Sequence, residues 1–338
     1  MTVAKRVARP LTVVQLSLND FAGSGYKIAR AIERVNPLIK VHCFVLSISQ
    51  TRKIFNNTTG TQITSDNLSD IQKVVDSADV IHFKGDNIPQ SVFCKVKIPK
   101  NTPQFITVSG SGFRRGNSNV ALALHPIEDY VKRFEYRTVL TPDINYPEYK
   151  GVYIPQPIDS TFVKRAYFPD TCKLCSQKKP ITIAHSPSIR AKKGTDTDII
   201  PAINMLTKAG YKYHFDLIQN VPNNICVERK SNASVFIDQI NEIGAYGNNA
   251  LEAMQFGIPT ISYISETARK QSGGLWDNNP VMSASNKMEL YYVLRDLIEN
   301  PETLEDISKR TKQYTDKHHS YEAVGRLYES FIYEMLYE

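Results

Sequence analysis

The chain is poor in cysteine and has no long hydrophobic run, and both features limit its class. An odd, dispersed set of cysteines favours reduced thiols and a cytoplasmic protein over a disulfide scaffold. No segment reaches the roughly 18 apolar residues of a membrane-spanning helix. The apolar run near the N-terminus is brief and interrupted by polar residues, so it is interpreted as a first β-strand and not as a signal peptide. The five cysteines are Cys43, Cys94, Cys172, Cys175 and Cys226.

Residue spacings typical of metal-binding sites are also scarce. Cys172 and Cys175 form a C-x2-C pair, but no second pair or nearby histidine completes a set of zinc ligands. We therefore expect a solvent-facing loop there and no metal.

The charge is moderately positive, and the length allows two domains. The chain has 338 residues, of which 41% are hydrophobic and 22% charged, as in ordinary soluble proteins. Its net charge of +7 suits an anionic partner: a nucleoside diphosphate, an acidic membrane surface or a nucleic acid. Charge alone does not choose among these three.

Short β-branched runs alternate with amphipathic stretches, which is typical of parallel sheets covered by helices. A proline-rich segment interrupts the pattern, so we expect an N-terminal domain at 1–155, a linker at 156–179 and a C-terminal domain at 180–317. A final helix at 318–338 would pack back toward the N-terminal domain. Strands are predicted at 11–18, 41–47, 78–83, 104–110, 181–186, 213–219, 235–240 and 260–264, and helices at 26–35, 120–134, 195–209, 247–256, 288–300, 303–318 and 320–336.

A basic loop follows the predicted strand at 181–186. It places Arg190, Lys192 and Lys193 just before Gly194 and a predicted helix. Cations beside a helix N-terminus, with a glycine that allows close backbone approach, make a suitable diphosphate site. The alternative is a solvated basic loop without a ligand.

A second candidate element spans 244–263. Gly247 opens a predicted helix, Glu252 lies within it, and a Gly-Ile-Pro turn ends it at Gly257. A carboxylate in this position can accept hydrogen bonds from ribose hydroxyls, while the amides at the helix N-terminus face phosphate oxygens. The alternative is a helix with a surface glutamate.

Together these segments resemble glycosyltransferase family 4. LEAMQFGIPTIS resembles the signature helix of the family, RAKKG its phosphate loop, and VYIPQPID the linker after its N-terminal domain. NDFAGSGYKIARAI is similar to its glycine-bearing first loop, and the helices after residue 300 to its closing helices. The resemblance implies an α/β protein of the GT-B type, with two Rossmann-like, doubly wound domains facing a cleft and C-terminal helices.

The resemblance also implies roles for particular residues. Arg190 and Lys193 would hold the donor diphosphate, Glu252 the ribose, and the backbone of Ala253 and Met254 would lie beside the phosphates. Asn220 and Val221 would border the nucleobase. Other implied donor-site residues are Gly247, Tyr246, Gly23, Ser24 and Gly25, and the implied acceptor-side residues are Ser109, Gly110, Ser111, Arg114 and Arg115.

Two positions depart from the family pattern. Gly244 stands where many members have the first glutamate of a Glu-x7-Glu pair, so backbone groups around Ala245 and Tyr246 would have to replace it. The Ser-Gly-Ser-Gly run from Ser109 replaces the usual His-Gly or His-Asp. His82 and His185, both placed at predicted strand ends, are candidate substitutes and join Arg190 and Lys193 as the candidate catalytic residues.

One motif suggests a metal but is interpreted otherwise. Asp196, Thr197 and Asp198 read as the D-x-D of GT-A enzymes, yet they follow the basic loop at a predicted helix start, where acidic residues favour the helix dipole. We expect no metal and no cofactor beyond the donor substrate.

The expected activity is transfer of a hexose or pentose from a nucleoside diphosphate donor, with UDP or GDP as nucleotide, to an acceptor hydroxyl. By resemblance it would be retaining and metal-independent. The favoured acceptor is a cell-surface or lipid-linked glycan, reached from the cytoplasm at the inner face of an anionic membrane. Two alternatives stay open: a phage-type enzyme that modifies a hydroxylated DNA base, and a catalytically silent GT-B module. Basic residues that could face either polyanion are Lys5, Arg6, Arg9, Arg114, Arg115, Lys132 and Arg133.

Overall fold

The computed structural model describes most of the chain. The predictions for the linker beyond residue 159, for most of the helix at 120–134, and for the acceptor-side residues Gly110, Ser111, Arg114 and Arg115 lie outside the described residues. The described residues are 9–18, 20, 23–46, 60–85, 95–109, 131, 133–145, 149–159, 180–240 and 244–337.

The N-terminal half forms a parallel sheet, as its β-branched runs predict. In the described residues it has seven strands in the order β3-β2-β1-β4-β5-β6-β7. The chain first builds outward from β1 on one side and then continues with β4 on the other, which is the doubly wound arrangement. The strands are β1 Leu11–Ser17, β2 Ile39–Val45, β3 Thr61–Gln62, β4 Val80–Lys84, β5 Gln104–Val108, β6 Tyr136–Val139 and β7 Val152–Tyr153.

Helices cover both faces of this sheet. Helix α1 (Ser24–Val35) presents Ile28 and Ile32 to one face, and α2 (Leu68–Asp76) presents Ile71 and Val75 to the other. A 3-10 turn, Pro142–Ile144, follows β6. Each face thereby has its own apolar core.

The C-terminal half forms a second parallel sheet, with four strands in the order β11-β10-β8-β9 in the described residues. Its strands are β8 Ile181–His185, β9 Tyr213–Leu217, β10 Val235–Ile237 and β11 Thr260–Ile261. Its helices are α3 Arg190–Lys193, α4 Ile200–Lys208 after a π-helical turn at Thr195–Ile199, α5 Asn223–Ser231, α6 Asn248–Met254, α7 Glu266–Gln271, α8 Lys287–Glu299 and α9 Thr303–His319.

The last helix, α10 (Tyr321–Tyr337), returns to the N-terminal half. Its apolar side joins the core formed by α1 and one face of the first sheet, with Tyr328 and Ile332 fully buried there. The crossing point is held by backbone, because the amide of Ile158 donates to the carbonyl of His319 over 2.7 Å. None of the helices in the described ranges is long and apolar enough to cross a membrane.

The two parallel sheets with covering helices confirm the predicted α/β class. Each predicted strand is present within a few residues of its expected bounds. The predictions missed three strands (β3, β6 and β7) and the helices α2, α3, α5 and α7.

Candidate functional site

The C-terminal sheet has a topological switch point between β8 and β10. Strand β9 lies on one side of β8 and β10 on the other, with His185 in register with Ile237. Ligands of open α/β sheets bind beyond the carboxyl ends of strands at such a point. The segments that follow β8 and β10 begin at Ser186 and Asp238 and therefore border the expected crevice.

The predicted basic loop contains one helical turn, α3, which carries its three cations. We keep the name basic loop for residues 190–194, which are anchored to the segment after β10. The amide of Ile240 donates to the carbonyl of Lys193 over 3.1 Å. Gly194 has a positive φ of 68°, and a Cβ added to it would lie 2.0 Å from the carbonyl oxygen of Ile240. A side chain is excluded there, so the loop depends on glycine for its path.

His185 ends β8, as predicted, but its ring is fully engaged. Its Nδ1 donates to the carbonyl of Ile237 over 2.8 Å, which leaves Nε2 to accept from the hydroxyl of Thr195, also over 2.8 Å. Burial lowers the pKa of His185 to about 4. A neutral imidazole with both nitrogens occupied ties β8 to β10 and to the turn after the basic loop, which favours a positioning role over proton transfer.

A continuous set of polar side chains connects the basic loop to the helix that carries Glu252. Lys193 Nζ donates to Asp238 Oδ1 over 2.7 Å, and Asn249 Nδ2 donates to the same oxygen over 3.1 Å. Lys230 Nζ donates to Asn249 Oδ1 and, over 2.6 Å, to Glu252 Oε2. We call Lys193, Asp238, Asn249, Lys230 and Glu252 the polar cluster.

The polar cluster is buried at Asp238 and Lys230 and partly buried elsewhere, and its charges balance. Asp238 is 0% exposed, and the side chains of Lys230 and Glu252 are 1% and 13% exposed. Burial alone would raise the pKa of the Asp238 carboxyl, but the Lys193 ammonium, with hydrogen bonds from Gly247 and Asn249, holds this pKa below its ordinary value. Two ammonium groups thus face two carboxylates away from bulk water, where such pairs are strong only when well hydrogen-bonded.

Arg190 points away from the polar cluster, toward the end of β9. Its Nε and Nη2 donate to the carboxylate of Asp196, and its Nη1 donates to Gln219 Oε1 over 3.0 Å. The two cations predicted to share one diphosphate therefore contact different protein partners. Arg190 stays partly exposed, with 37% of its side chain accessible, so it can still reach a ligand.

The D-x-D residues start the π-helical turn, but their carboxylates act elsewhere. Asp196 pairs with Arg190, and Asp198 Oδ1 accepts from the amide of Lys287 over 3.0 Å, which caps the start of α8. No group of three His, Cys, Asp or Glu side chains placed to hold a metal occurs among the residues that the structure describes.

Helix α6 carries two members of the polar cluster, Asn249 and Glu252. The amide of Gly247 donates to Asp238 Oδ2 over 3.2 Å, so the helix start is tied to the end of β10. Ala253 and Met254 are the last two residues of α6 and are fully buried. Since the outward-facing amides of a helix are those of its first turn, phosphate contact by these two residues rests on the resemblance alone.

Tyr246 is turned away from the switch point. Its ring stacks on Trp276 at 4.6 Å between centroids, and its hydroxyl donates to His319 Nε2 over 2.9 Å. His319 Nδ1 in turn donates to the carbonyl of Gln156 over 2.8 Å. Tyr246 therefore connects the start of α6 to the crossing point between the two halves.

The missing glutamate at position 244 has a steric cause. Gly244 has a φ of 70°, and an added Cβ would lie 2.6 Å from both Cβ and Oγ of Ser265. Ser265 is itself fixed, because its Oγ caps α7 by accepting from the amide of Ala268. A glutamate cannot occupy this position in the present backbone.

The two residues predicted to border a nucleobase follow β9. Asn220 has a φ of 54°, a left-handed conformation that asparagine tolerates better than most residues. Val221 packs against a small apolar cluster that includes Ala184 and Phe236. Both lie one or two positions after Gln219, the partner of Arg190.

In the N-terminal half, backbone amides at the start of α1, in the predicted first loop, already donate to a carboxylate of the protein. The Asp20 side chain accepts from the amide of Gly25 over 2.7 Å and from that of Tyr26 over 2.9 Å. Gly23 precedes α1, and Ser24 is its first residue. A ligand phosphate at this helix start would compete with Asp20 for the same amides.

His82 does not end its strand, contrary to the prediction. Phe83 and Lys84 follow it within β4, and its ring is 0% exposed, stacked on Phe105 with 4.1 Å between centroids. Burial lowers the pKa of His82 to about 3. Its Nε2 lies 2.7 Å from Thr107 Oγ1. This geometry favours a role in the core of the sheet.

Lys84, and not His82, reaches the carboxyl edge. Its Nζ donates to the hydroxyl of Ser109 over 3.1 Å, which places the one described acceptor-side residue beside a buried cation.

Several residues of the site were not predicted. Asp238 was assigned to the strand at 235–240, although β10 ends at Ile237. Asn249 lies between Gly247 and Glu252, which were both predicted to belong to the donor site. Its position in the first turn of a helix could have identified it as a further site residue. Lys230 lies on α5, which the sequence patterns did not reveal.

Similarity to known proteins is limited to the fold. No family model matches the chain, and no curated protein matches it. HepE from Anabaena, solved with UDP-glucose, has a TM-score of 0.65 at 10% identity and covers 96% of this chain and 100% of its own. An α-glucosyltransferase solved with UDP-glucose and DNA containing an abasic site has a TM-score of 0.62 at 10% identity, covering 95% and 99%.

A third similar structure has a different activity. UDP-GlcNAc 2-epimerase from Neisseria meningitidis, bound to UDP-GlcNAc, has a TM-score of 0.54 at 12% identity and covers 96% of this chain and 100% of its own. The likeness over nearly the full length confirms the GT-B arrangement of two Rossmann-like units. Because one fold serves transferases and an epimerase, the fold alone does not identify the reaction, which depends on the residues of the site.

Proposed function

We propose that this chain is a glycosyltransferase that moves a sugar from a nucleoside diphosphate donor to an acceptor hydroxyl. The observation that carries the proposal is the polar cluster, which joins the basic loop to Glu252 at the switch point of the C-terminal sheet. Ligands of such sheets bind at this point, and cations next to a helix start suit a diphosphate.

Each end of the polar cluster suits one part of a nucleotide. Lys193 Nζ donates to Asp238 and Gln239. Within the described residues this leaves one of its three N–H groups for a phosphate oxygen. Arg190 adds a second, partly exposed cation. As the glycosidic bond breaks, negative charge grows on the leaving diphosphate, and fixed cations stabilise that charge most in the transition state. Glu252 would accept from the ribose hydroxyls.

The finer features of the activity are part of the proposal. Metal independence is supported by the engagement of Asp196 with Arg190 and of Asp198 with the amide of Lys287. Retention of configuration, a hexose or pentose as the transferred sugar, and a cytoplasmic setting rest on the sequence. UDP is the first nucleotide to test, because the similar structures were solved with UDP or UDP-sugars.

The acceptor is proposed to be a cell-surface or lipid-linked glycan at an anionic membrane surface. DNA is the second candidate, because one similar structure holds a DNA strand. Most of the basic residues that would face either polyanion lie outside the described residues.

The proposal is tested by nucleotide binding followed by turnover. Isothermal titration with UDP, GDP and ADP identifies the base, and Glu252→Gln should weaken the preferred nucleotide while Glu266→Gln, at an exposed helix start, should not. Release of UDP from UDP-sugars is then measured alone, with lipid-linked glycans, and with duplex DNA carrying hydroxymethylated bases. Stimulation by DNA only would select the DNA enzyme. Binding without any turnover would indicate a silent module, and conversion of the sugar without transfer would indicate an epimerase.

A further inference from the structure

Lys230 is a buried cation that no part of the proposed reaction uses directly. Its side chain is 1% exposed, in the last turn of α5. Removing an ammonium group from water is costly unless it is paired and hydrogen-bonded. A lysine so deeply buried therefore depends on its partners.

Those partners occupy all three N–H groups of the ammonium. Lys230 Nζ donates to Glu252 Oε2 over 2.6 Å, to Asn249 Oδ1, and weakly to the carbonyl of Asn249 over 3.5 Å. Its charge also lies 5.3 Å from the centre of the Phe236 ring, within cation–π range. With three N–H groups and three acceptors, no donor is left for a ligand, so any influence on a ligand must pass through Glu252 or Asn249.

Asn249 extends this influence toward the basic loop. Because its Oδ1 faces Lys230, its Nδ2 is directed at Asp238 Oδ1, at 3.1 Å, and at the carbonyl of Ser186, at 3.0 Å. Asp238 is the ion-pair partner of Lys193. Lys230 is thus placed between the carboxylate at one end of the polar cluster and the cation at the other.

We propose that Lys230 is a positioning residue that holds the Glu252 carboxylate oriented for the ribose of the donor nucleotide. The inference rests on the proposed function. A carboxylate without this partner is no longer held in one orientation, and it is left partly buried without its ion pair. Without Lys230, nucleotide affinity should therefore decrease.

The test is titration with UDP and with uridine. Lys230→Met should weaken UDP binding about 10-fold, on the scale of coupled neighbours. Lys230→Arg should restore most of the affinity. Lys270→Met is the matched control, since Lys270 also pairs with a glutamate, over 3.2 Å, but is 75% exposed. It should leave the affinity unchanged.

Two further measurements separate positioning from simple stabilisation. Lys230→Met combined with Glu252→Gln should bind UDP no more weakly than Glu252→Gln alone, because both remove the same contact. Uridine should show the same relative loss as UDP in Lys230→Met, whereas a Lys193 variant should lose affinity for UDP only.

The inference is overturned if Lys230→Met lowers thermal stability but binds UDP with unchanged affinity. It is also overturned if the losses in the double variant add. A wild-type protein that binds no nucleoside diphosphate would instead overturn the proposed function, and the role of Lys230 with it.

Discussion

Replacing Gly194 by alanine should damage the basic loop in a way that the structure allows to be dissected. Gly194 has a φ of 68°, and its added Cβ would lie 2.0 Å from the carbonyl oxygen of Ile240. Gly210 has a similar φ of 84° but no atom within 4 Å of an added Cβ. The pair therefore separates left-handed strain, which both variants share, from a collision that only Gly194→Ala creates.

The magnitude follows from these two contributions. Left-handed backbone costs about 1 kcal/mol for a non-glycine residue. A methyl group forced against a fixed backbone atom adds about 1–3 kcal/mol. Ile240 is fixed because its amide also holds the carbonyl of Lys193. We expect Gly194→Ala to reduce the free energy of unfolding by about 3 kcal/mol and Gly210→Ala by about 1 kcal/mol.

The collision at Gly194 should also weaken ligand binding. Relief of the collision requires the loop to move away from Ile240, which would carry Lys193 away from Asp238. UDP affinity should therefore decrease about 10-fold in Gly194→Ala, a loss of about 1.4 kcal/mol, and stay unchanged in Gly210→Ala. Urea unfolding followed by circular dichroism and titration with UDP are the assays. Equal destabilisation of the two variants, with equal affinity, would refute the steric argument.

Four other outcomes are expected. Glu252→Ala should weaken nucleoside diphosphate binding by about 1–3 kcal/mol; calorimetry that finds affinity within about twofold of wild type would remove it from the ribose role. Lys193→Met should lower kcat about 100-fold, whereas Lys192→Met should have a small effect. Equal, small effects of the two variants in steady-state kinetics would mean that the loop is only a solvated basic turn. Lys193→Met alone leaves the buried carboxylate of Asp238 without its ion-pair partner. The double variant Lys193→Met with Asp238→Asn is therefore measured beside it, because it removes both charges together. Turnover should survive EDTA; loss of activity that magnesium or manganese restores would reassign the D-x-D to a metal. Burial lowers the pKa of His319 to about 4 from an ordinary 6.5, so the unfolded chain binds more protons between these values and stability should fall as pH drops from about 6.5 toward 4. Thermal unfolding of His319→Gln should show a weaker pH dependence, and an unchanged profile would exclude His319 as a contributor.

The fold was accessible from sequence because its strands are apolar and separated by clear helices. The missed strand β6 shows why some strands were not predicted from the sequence. Its sequence carries Arg137, whose Nε donates to the carbonyl of Val131 over 3.2 Å. A charged residue satisfied by backbone carbonyls is compatible with a strand, but it removes the apolar pattern from which strands are predicted.

The site was accessible only in part, for a related reason. Lys193 and Glu252 stand in recognisable loop and helix segments, and the structure brings them into one cluster. Lys230 and Asp238 complete that cluster from segments distant in sequence, and their pairing depends on tertiary contacts. His82 shows the opposite error. The predicted strand ended one residue early, at 83 instead of Lys84, and His82 was assigned to the edge of the sheet although two residues follow it within β4.

The return of α10 to the N-terminal half affects the order in which the protein can be synthesised and folded. The apolar face shared by β1 and α1 is completed by Tyr328, Ile332 and their neighbours near the end of the chain. Translation proceeds at about 5–20 residues per second, so the roughly 170 residues between β7 and α10 take on the order of 10 to 30 s. During that interval the first half has its sheet but not its full cover. Its exposed face then has to await α10 or be shielded by a chaperone, and a nascent chain stalled before α10 should be selectively sensitive to protease in its N-terminal half.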